Sequence, residues 1–330
     1  MKFVFLGAGA FGIPGVEACA ASTHQLCAVV TQPDKPAGRG QELAATAIAL
    51  TADAYGWDLH KTDNVNSPEM IEKIRAYQPD CLVVIAFGQK LSPELLAVAP
   101  YGGINLHSSL LPNYRGAAPI NWAIINNDPT SGCSVIQVTN VMDGGDILAS
   151  VSTPIGADET AGELHERLAN LGGPLLPQVL DAMANDTLAR TPQEDCLSCR
   201  APKLNRQMAW VDFAQPAALV SARFRGMSPW PGIAVEVIDP TGKVRTTATI
   251  LKCKATNPTV GAATSYSADL AGHVLADRTV ACGGGGALEI ITIQPVGKKP
   301  MDLQAFANGY QIGAGWKLRS VVAVPGSSAS

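Results

Sequence analysis

The chain has 330 residues, a hydrophobic fraction of 47% and a formal net charge of −4, which is enough for two domains with sizeable cores and excludes a disordered chain. No apolar run approaches the length of a membrane span, and the opening Met1-Lys2-Phe3-Val4-Phe5-Leu6-Gly7 is too short and lacks the cleavage site of a secretory leader, so a cytoplasmic protein is expected. Eight scattered cysteines, several inside apolar runs, suit reduced core thiols better than a disulfide framework; Cys196-x-x-Cys199, with no second pair and no nearby His, reads as a linker thiol pair rather than a metal site.

In chain order, residues 2–6 read as a buried strand, Gly7-x-Gly9-x-x-Gly12 as the turn into an apolar helix, and residues 25–31 as a second buried strand. Helical composition continues at 44–55 and 68–77, and buried strands at 81–86 and 103–106. A helix is expected at 118–125, strands at 133–138 and 147–150, and one long helix from 161 to 184. Strands alternating with helices predict an α/β fold with a doubly wound, mostly parallel, Rossmann-like sheet, whose ligand crevice lies beyond the carboxyl ends of its strands. The three glycines match the dinucleotide fingerprint, with Asp34 at the expected interval. Asp34 sits in the loop Gln32-Pro33-Asp34-Lys35-Pro36-Ala37-Gly38-Arg39-Gly40 rather than at a strand end, however, and small-residue turns suit any first strand-helix crossing, so a nicotinamide oxidoreductase is the weaker reading.

Periodicity stops between residues 190 and 206, which predicts a linker between a domain at 1–189 and another at 207–318, with a disordered tail at 319–330. Beyond the linker, one helical patch at 216–225 precedes short β-rich runs at 234–238, 245–251, 273–275 and 288–293, as in a small all-β barrel of the oligonucleotide-binding (OB) type. Charge divides with the chain. Residues 1–200 carry 11 Lys and Arg against 21 Asp and Glu, and residues 201–330 carry 13 against 7, so the barrel is the half suited to a polyanion such as nucleic acid.

Chemistry concentrates where the strand 103–106 gives way to a loop. Alternation puts Asn105 and His107 on one strand face, and the Met142-Asp143-Gly144-Gly145-Asp146 turn offers Asp143 or Asp146 as a carboxylate partner for the imidazole. An amide, an imidazole and a carboxylate supply an oxyanion donor, a proton acceptor and a group that orients the ring, as acyl transfer to an amine requires. The loop cations Lys35 and Arg39, among Pro and Gly at the end of the second strand, suit capture of a phosphate-bearing partner.

Asn105-x-His107, Ser109-Leu110-Leu111-Pro112, Tyr114-Arg115-Gly116 and Asp143 in its Asp-Gly-Gly turn together resemble the formyltransferase family that uses 10-formyltetrahydrofolate. The likeness extends through Thr31-Gln32-Pro33-Asp34-Lys35-Pro36-Ala37-Gly38-Arg39-Gly40, Ala201-Pro202-Lys203-Leu204, Pro229-Trp230-Pro231-Gly232 and Gln294-Pro295-Val296-Gly297-Lys298-Lys299-Pro300-Met301. The resemblance implies that Asn105 polarises the formyl carbonyl, His107 assists proton removal, Asp143 orients His107, and Ser109, Leu110, Leu111 and Pro112 line the donor site. It further implies methionylated initiator tRNA as the acceptor, met by Lys35, Arg39, Lys298 and Lys299. No dimer seam is evident in the sequence, so a monomer is expected, and no metal is expected to take part. A sister activity on an amino sugar nucleotide is the alternative. The segment Val138-Thr139-Asn140-Val141-Met142 stands where that family has a longer acidic signature, so the edge of the donor pocket is expected to differ.

Overall fold

The computed structural model describes residues 1–37, 42–256 and 268–325; Arg39 lies outside the described residues. The chain divides into two compact units. The first comprises Met1–Pro119, Ser131–Thr153 and His165–Ala201, and the second Ile120–Thr130, Pro154–Leu164 and Pro202–Ser330. The division after Ala201 falls inside the stretch expected as a linker.

The first unit is built on β1 (Lys2–Gly7), β2 (Gln25–Thr31), β5 (Leu59–Lys61), β6 (Cys81–Ile85), β7 (Gly103–His107), β9 (Thr130–Gln137) and β10 (Ile147–Pro154). These form one sheet in the order β10-β9-β7-β6-β1-β2-β5. The pairs β1 with β2, β1 with β6, β6 with β7 and β2 with β5 are parallel, while β9 runs antiparallel to β7. The sheet is therefore mixed on the side that carries Asn105. Every residue of β6 and all of β1 beyond Lys2 are buried, which is why these strands read as continuous apolar runs rather than alternating ones.

Helices α1 (Ile13–Ala20), α2 (Ala47–Tyr55), α3 (Pro68–Ala76) and the single turn α4 (Pro93–Leu96) connect them. Local chemistry sets their ends. Ser67 accepts the Met70 N–H, Pro68 opens α3, and Lys73 and Arg75 occupy its last turn while Met70, Ile71 and Ile74 face the core. The glycine fingerprint opens a short 3-10 turn at Ala10–Gly12, and Asp34 is engaged with the Lys61 ammonium at 2.7 Å. The loop expected at 32–40 contains a strand, β3 (Lys35–Ala37), paired antiparallel with β4 (Glu42–Ala44).

One expected helix is two. Residues 161–184 form α6 (Ala161–Gly172) and α7 (Leu175–Ala184), separated at Gly173-Pro174. A Cβ on Gly173 would stand 2.9 Å from the Pro14 carbonyl carbon, so the chain bends where its backbone lies against α1, and Pro174 cannot continue the α6 hydrogen-bond ladder. The five cysteines Cys19, Cys81, Cys133, Cys253 and Cys282 are buried and free, and burial pushes their thiols up to about 12.

The connection from β7 passes through β8 (Arg115–Gly116) to α5 (Pro119–Ile125), and β11 (Arg200–Ala201) closes the first unit by pairing parallel with β8. In the second unit, α8 (Ala217–Gly226) precedes an antiparallel sheet of β12 (Ile233–Ile238), β13 (Val244–Thr256), β14 (Val280–Ala281), β15 (Ala287–Pro295) and β17 (Lys317–Ser320), in the order β14-β15-β13-β12-β17. A short β16 (Met301–Asp302) adds to β15, and α9 (Leu303–Tyr310) comes next, capped by Asp302. The run expected as a strand at 273–275 makes only single bridges, His273 to Lys317 and Val274 to Val280. These two bridges join β17 to β14 and so carry the sheet round into a nearly closed barrel. The expected tail begins too early, because Lys317–Ser320 pairs with β12; residues 326–330 lie outside the described residues.

The turn between β12 and β13 is organised by Asp239. Its carboxylate accepts from the Thr241 hydroxyl at 2.6 Å, the Thr241 and Lys243 N–H groups at 2.9 and 3.0 Å, and Arg245 Nε at 2.6 Å. Led by the Thr241 hydroxyl, these donors hold it far below the usual carboxylate range. A depressed carboxylate stabilises the fold above its unfolded-state pKa and loses that contribution as pH falls through its folded value. Asp239→Ala is therefore expected to lower the thermal midpoint at neutral pH, with the gap to the unsubstituted protein narrowing below about pH 4; thermal scans across acid pH that show a constant gap contradict this.

Candidate active site

Strand β7 delivers the site. Asn105 pairs in register with Val84 of β6 and Ile136 of β9, and His107 is the last residue of the strand, on the same face. Asn105 is half-buried, and among the described residues its side-chain amide takes no hydrogen bond within the protein, which leaves both its donors for a ligand. His107 is 7% exposed. Its Nε2 lies 2.9 Å from the Tyr114 carbonyl oxygen; because a carbonyl only accepts, Nε2 carries the hydrogen in this contact. Nδ1 then faces the Asp143 Oδ1 at 3.7 Å, an electrostatic contact rather than a hydrogen bond.

Of the two carboxylates left open by spacing, Asp143 is the one beside His107. Its other oxygen accepts the Gly116 N–H at 2.9 Å. Asp143 (φ 51°) and Tyr114 (φ 62°) both hold left-handed backbone, a conformation that costs a non-glycine residue roughly 1–3 kcal/mol and persists where surrounding contacts over-determine it. The imidazole is thus flanked by two oxygens, each presented by a residue in an uncommon conformation.

The segment after His107 splits into two roles. Ser109 is buried, donates its hydroxyl to the Asn113 carbonyl at 2.7 Å, and offers its own carbonyl to the Ser134 hydroxyl at 2.8 Å. Leu111 is buried too, its N–H bonded to Ser134. Leu110 and Pro112 are half-buried. The side chains of Ser109 and Leu111 therefore face the interior, and Leu110 and Pro112 are the apolar surface the segment has available. Exposed Val141 and Met142 stand just before Asp143 in the chain.

The cations are spread. Lys35 is exposed on β3 and donates to the Gln32 side chain, within the first unit. Lys298 and Lys299 are exposed in the turn after β15, within the second unit. Among the described residues neither of the latter pair makes an ion pair, whereas Arg245, Lys252, Lys254 and Arg319 of the same unit are matched with Asp239, Glu163, Glu289 and Glu236. Arg223 lies 3.4 Å over the Trp210 ring and donates to two backbone carbonyls, and burial lowers its guanidinium to about 10. Much of the positive charge counted in the sequence is thus engaged inside the barrel. Among the described residues no His, Cys, Asp and Glu cluster could hold a metal ion, and no helix is long and apolar enough to cross a membrane.

Sequence reasoning missed what holds the loop in place. The stretch expected as a linker returns to it: the Arg115 N–H bonds to the Cys199 carbonyl at 2.9 Å, the Ala117 N–H to the Ala201 carbonyl at 2.8 Å, and the Tyr114 N–H to the Cys199 sulfur at 3.2 Å. Arg115 reaches Asp195 at 2.8 Å, and Gln193 contacts both Arg115 and the Asp143 turn. Two-residue strands and isolated side-chain bridges leave no periodic trace in a sequence, so no local signal announces them.

Residues 1–180 match the formyl transferase family and residues 203–311 match the formyl transferase C-terminal domain. The chain is 38% identical over 319 residues to methionyl-tRNA formyltransferase of Citrifermentans bemidjiense, covering 96% of this chain and 95% of that protein. It is 37% identical over 315 residues to methionyl-tRNA formyltransferase of Geotalea uraniireducens, covering 96% and 97%. Among solved structures, a sugar 3N-formyl transferase, WlaRD, crystallised with dTDP and 5-N-formyl-THF, superposes with a TM-score of 0.62 at 16% identity, covering 91% of this chain and 99% of that one. At that identity the likeness concerns the fold.

Gly116 (φ 127°) is the tightest point of the loop, where an added Cβ would lie 2.7 Å from the Ala201 carbonyl oxygen. Gly116→Ala is expected to part β8 from β11 and to raise amide hydrogen exchange at Arg115 and Ala117 by at least about tenfold. Unchanged protection at both amides contradicts the pairing of β8 with β11, the strap across the loop.

Proposed function

The chain belongs to the formyl transferase family, and on that premise we propose that it transfers a formyl group from 10-formyltetrahydrofolate to the α-amine of methionine esterified to initiator tRNA, the step that supplies formylmethionine for translation initiation. The observation that carries the acceptor is the end-to-end alignment with methionyl-tRNA formyltransferases, which includes the C-terminal domain as well as the catalytic one. Fold likeness alone supports an amino sugar nucleotide acceptor, and it comes at 16% identity.

In this reading the amine nitrogen attacks the formyl carbon, an N–C bond forms, and the carbonyl oxygen takes the negative charge. The Asn105 amide, with no partner among the described residues, donates to that oxygen. The amine proton passes to His107 at Nδ1, and the charged ring is met by Asp143 on one side and the Tyr114 carbonyl on the other. Collapse breaks the bond from the formyl carbon to N10 of the folate, which leaves with a proton as tetrahydrofolate. Leu110 and Pro112 supply the apolar wall against the donor, and Ser109 and Leu111 brace that wall from inside.

We assign the chemistry to the domain at 1–189 and tRNA contact to the barrel at 207–318, with Lys35 and Arg39 meeting the tRNA from the catalytic domain. Lys298 and Lys299, which form no ion pair among the described residues, are the barrel's phosphate contacts. The enzyme works as a monomer in the cytoplasm, and the transfer proceeds through protein groups without a metal.

A formylation assay offering methionylated initiator tRNA and an amino sugar nucleotide with the same donor tests the reading: product on the tRNA is expected, and product on the sugar alone overturns it. His107→Ala and Asn105→Ala are each expected to lower turnover by about 10²–10⁴-fold, and near-normal turnover in both removes the site assignment. Lys298→Ala with Lys299→Ala is expected to weaken tRNA binding and reduce the salt dependence of log K by about two, leaving the KM for the folate donor unchanged; an unchanged salt slope contradicts the barrel contact.

A further inference from the structure

Gln193 lies in the stretch whose composition suggests a featureless linker, yet all the bonding capacity of its amide that the structure displays is directed at the active-site loops. Its Nε2 donates to the Asp143 carbonyl at 2.8 Å and to the Gly145 carbonyl at 2.7 Å. Its Oε1 accepts from Arg115 Nε at 3.1 Å and Arg115 Nη2 at 2.8 Å. The side chain is partly buried and is donor on one side and acceptor on the other, so only an amide of this length satisfies both.

The two groups that it joins are the two that frame His107. The Asp143 turn brings a carboxylate to Nδ1, and the Tyr114 to Gly116 segment brings a carbonyl to Nε2 and an N–H to the Asp143 Oδ2. Left-handed backbone is not the favoured state of Asp143, and the two Gln193 bonds on the carbonyls of Asp143 and Gly145 help hold the turn in it, beside the Gly144 N–H to Val141 carbonyl bond at 3.2 Å and the Gly116 N–H on the Asp143 carboxylate. A small displacement there would open or close the 3.7 Å gap to His107.

We propose that Gln193 is a positioning residue for the formyl transfer, setting the placement of Asp143 against His107 by clamping the Asp143-Gly144-Gly145 turn to Arg115. The assignment rests on the formyl-transfer reading of the site. The amide bonds of Gln193 all go to protein groups, so its effect is expected on turnover rather than on binding. Its loss is felt only while Asp143 has a role to be positioned for.

Gln193→Glu is the sharp test. A carboxylate retains the acceptor for Arg115 but turns an oxygen toward the carbonyls of Asp143 and Gly145, reversing two donors into two repulsions. Steady-state kinetics with methionylated initiator tRNA and 10-formyltetrahydrofolate are expected to show kcat lower by about 10–100-fold, as for other residues that orient a reacting group, with both KM values within about twofold. Gln193→Ala gives the same direction without the added charge and serves if the Glu variant unfolds. In an Asp143→Asn background the further loss from Gln193→Glu is expected to shrink to less than about threefold, because the two act as a unit. A kcat unchanged in both Gln193 variants, a loss confined to KM, or a full multiplicative loss in the double variant overturns the inference. Asp143→Asn and His107→Ala in the same assay separate the cases: if they too are fully active, the site reading has failed; if they are inactive while the Gln193 variants are not, this inference alone has failed.

Discussion

The pairing of Arg200–Ala201 with Arg115–Gly116 is the constraint on which the site depends. Strand β7 can place Asn105 and His107, since both belong to a strand held on each side by a neighbour. The chain beyond His107 is irregular, and an irregular loop needs partners for its backbone groups. The strap supplies them: carbonyls of Cys199 and Ala201 accept the N–H groups of Arg115 and Ala117. The Gly116 N–H is then left for the Asp143 carboxylate, so a local pairing far in sequence from the catalytic residues decides where a carboxylate lies relative to an imidazole. Cys199 belongs to this support through its carbonyl and its sulfur, which places half of the Cys-x-x-Cys pair in a structural role.

A similar engagement of polar groups runs through the barrel, where net charge overstates what is available to a polyanion. Asp239, Glu163, Glu289 and Glu236 each engage a cation, and Arg223 and Arg225 point their guanidinium groups at backbone carbonyls. The exposed pairs on Glu289 and Glu236 contribute little to stability, whereas Asp239 is buried and braces its turn, but all of them cancel field. Lys298 and Lys299, like exposed Lys203, Arg206 and Lys243, make no ion pair among the described residues, so the charge open to a polyanion is smaller than the count of thirteen basic side chains suggests.

Strands are more legible than connections. The run 25–31 coincides with β2, whose second half, residues 28–31, is buried, because a strand buried on both faces reads as an apolar run, and that constraint is local. The run 161–184 looks like one helix because its apolar spacing continues through Gly172-Gly173-Pro174; the interruption is set by the close approach of Gly173 to Pro14, which spacing does not encode. His273 to Leu275 has strand composition but makes only bridges, since its task is to join two edges. The end of Lys317–Ser320 reads as tail, because its pairing with β12 is wholly non-local.

By itself the sequence determined the main buried strands of the first unit and the presence of an amide and an imidazole on one strand face, because each depends on residue type and short-range periodicity, and its motifs carry the resemblance to the formyl transferase family. Only the tertiary structure decided that Asp143 rather than Asp146 faces His107, that Ser109 and Leu111 are turned inward, and that Gln193 and the strap at Cys199–Ala201 frame the site. Those outcomes depend on bonds between residues as many as 85 positions apart. Distances of that kind are fixed when the sheet assembles, not by the neighbours of any residue along the chain.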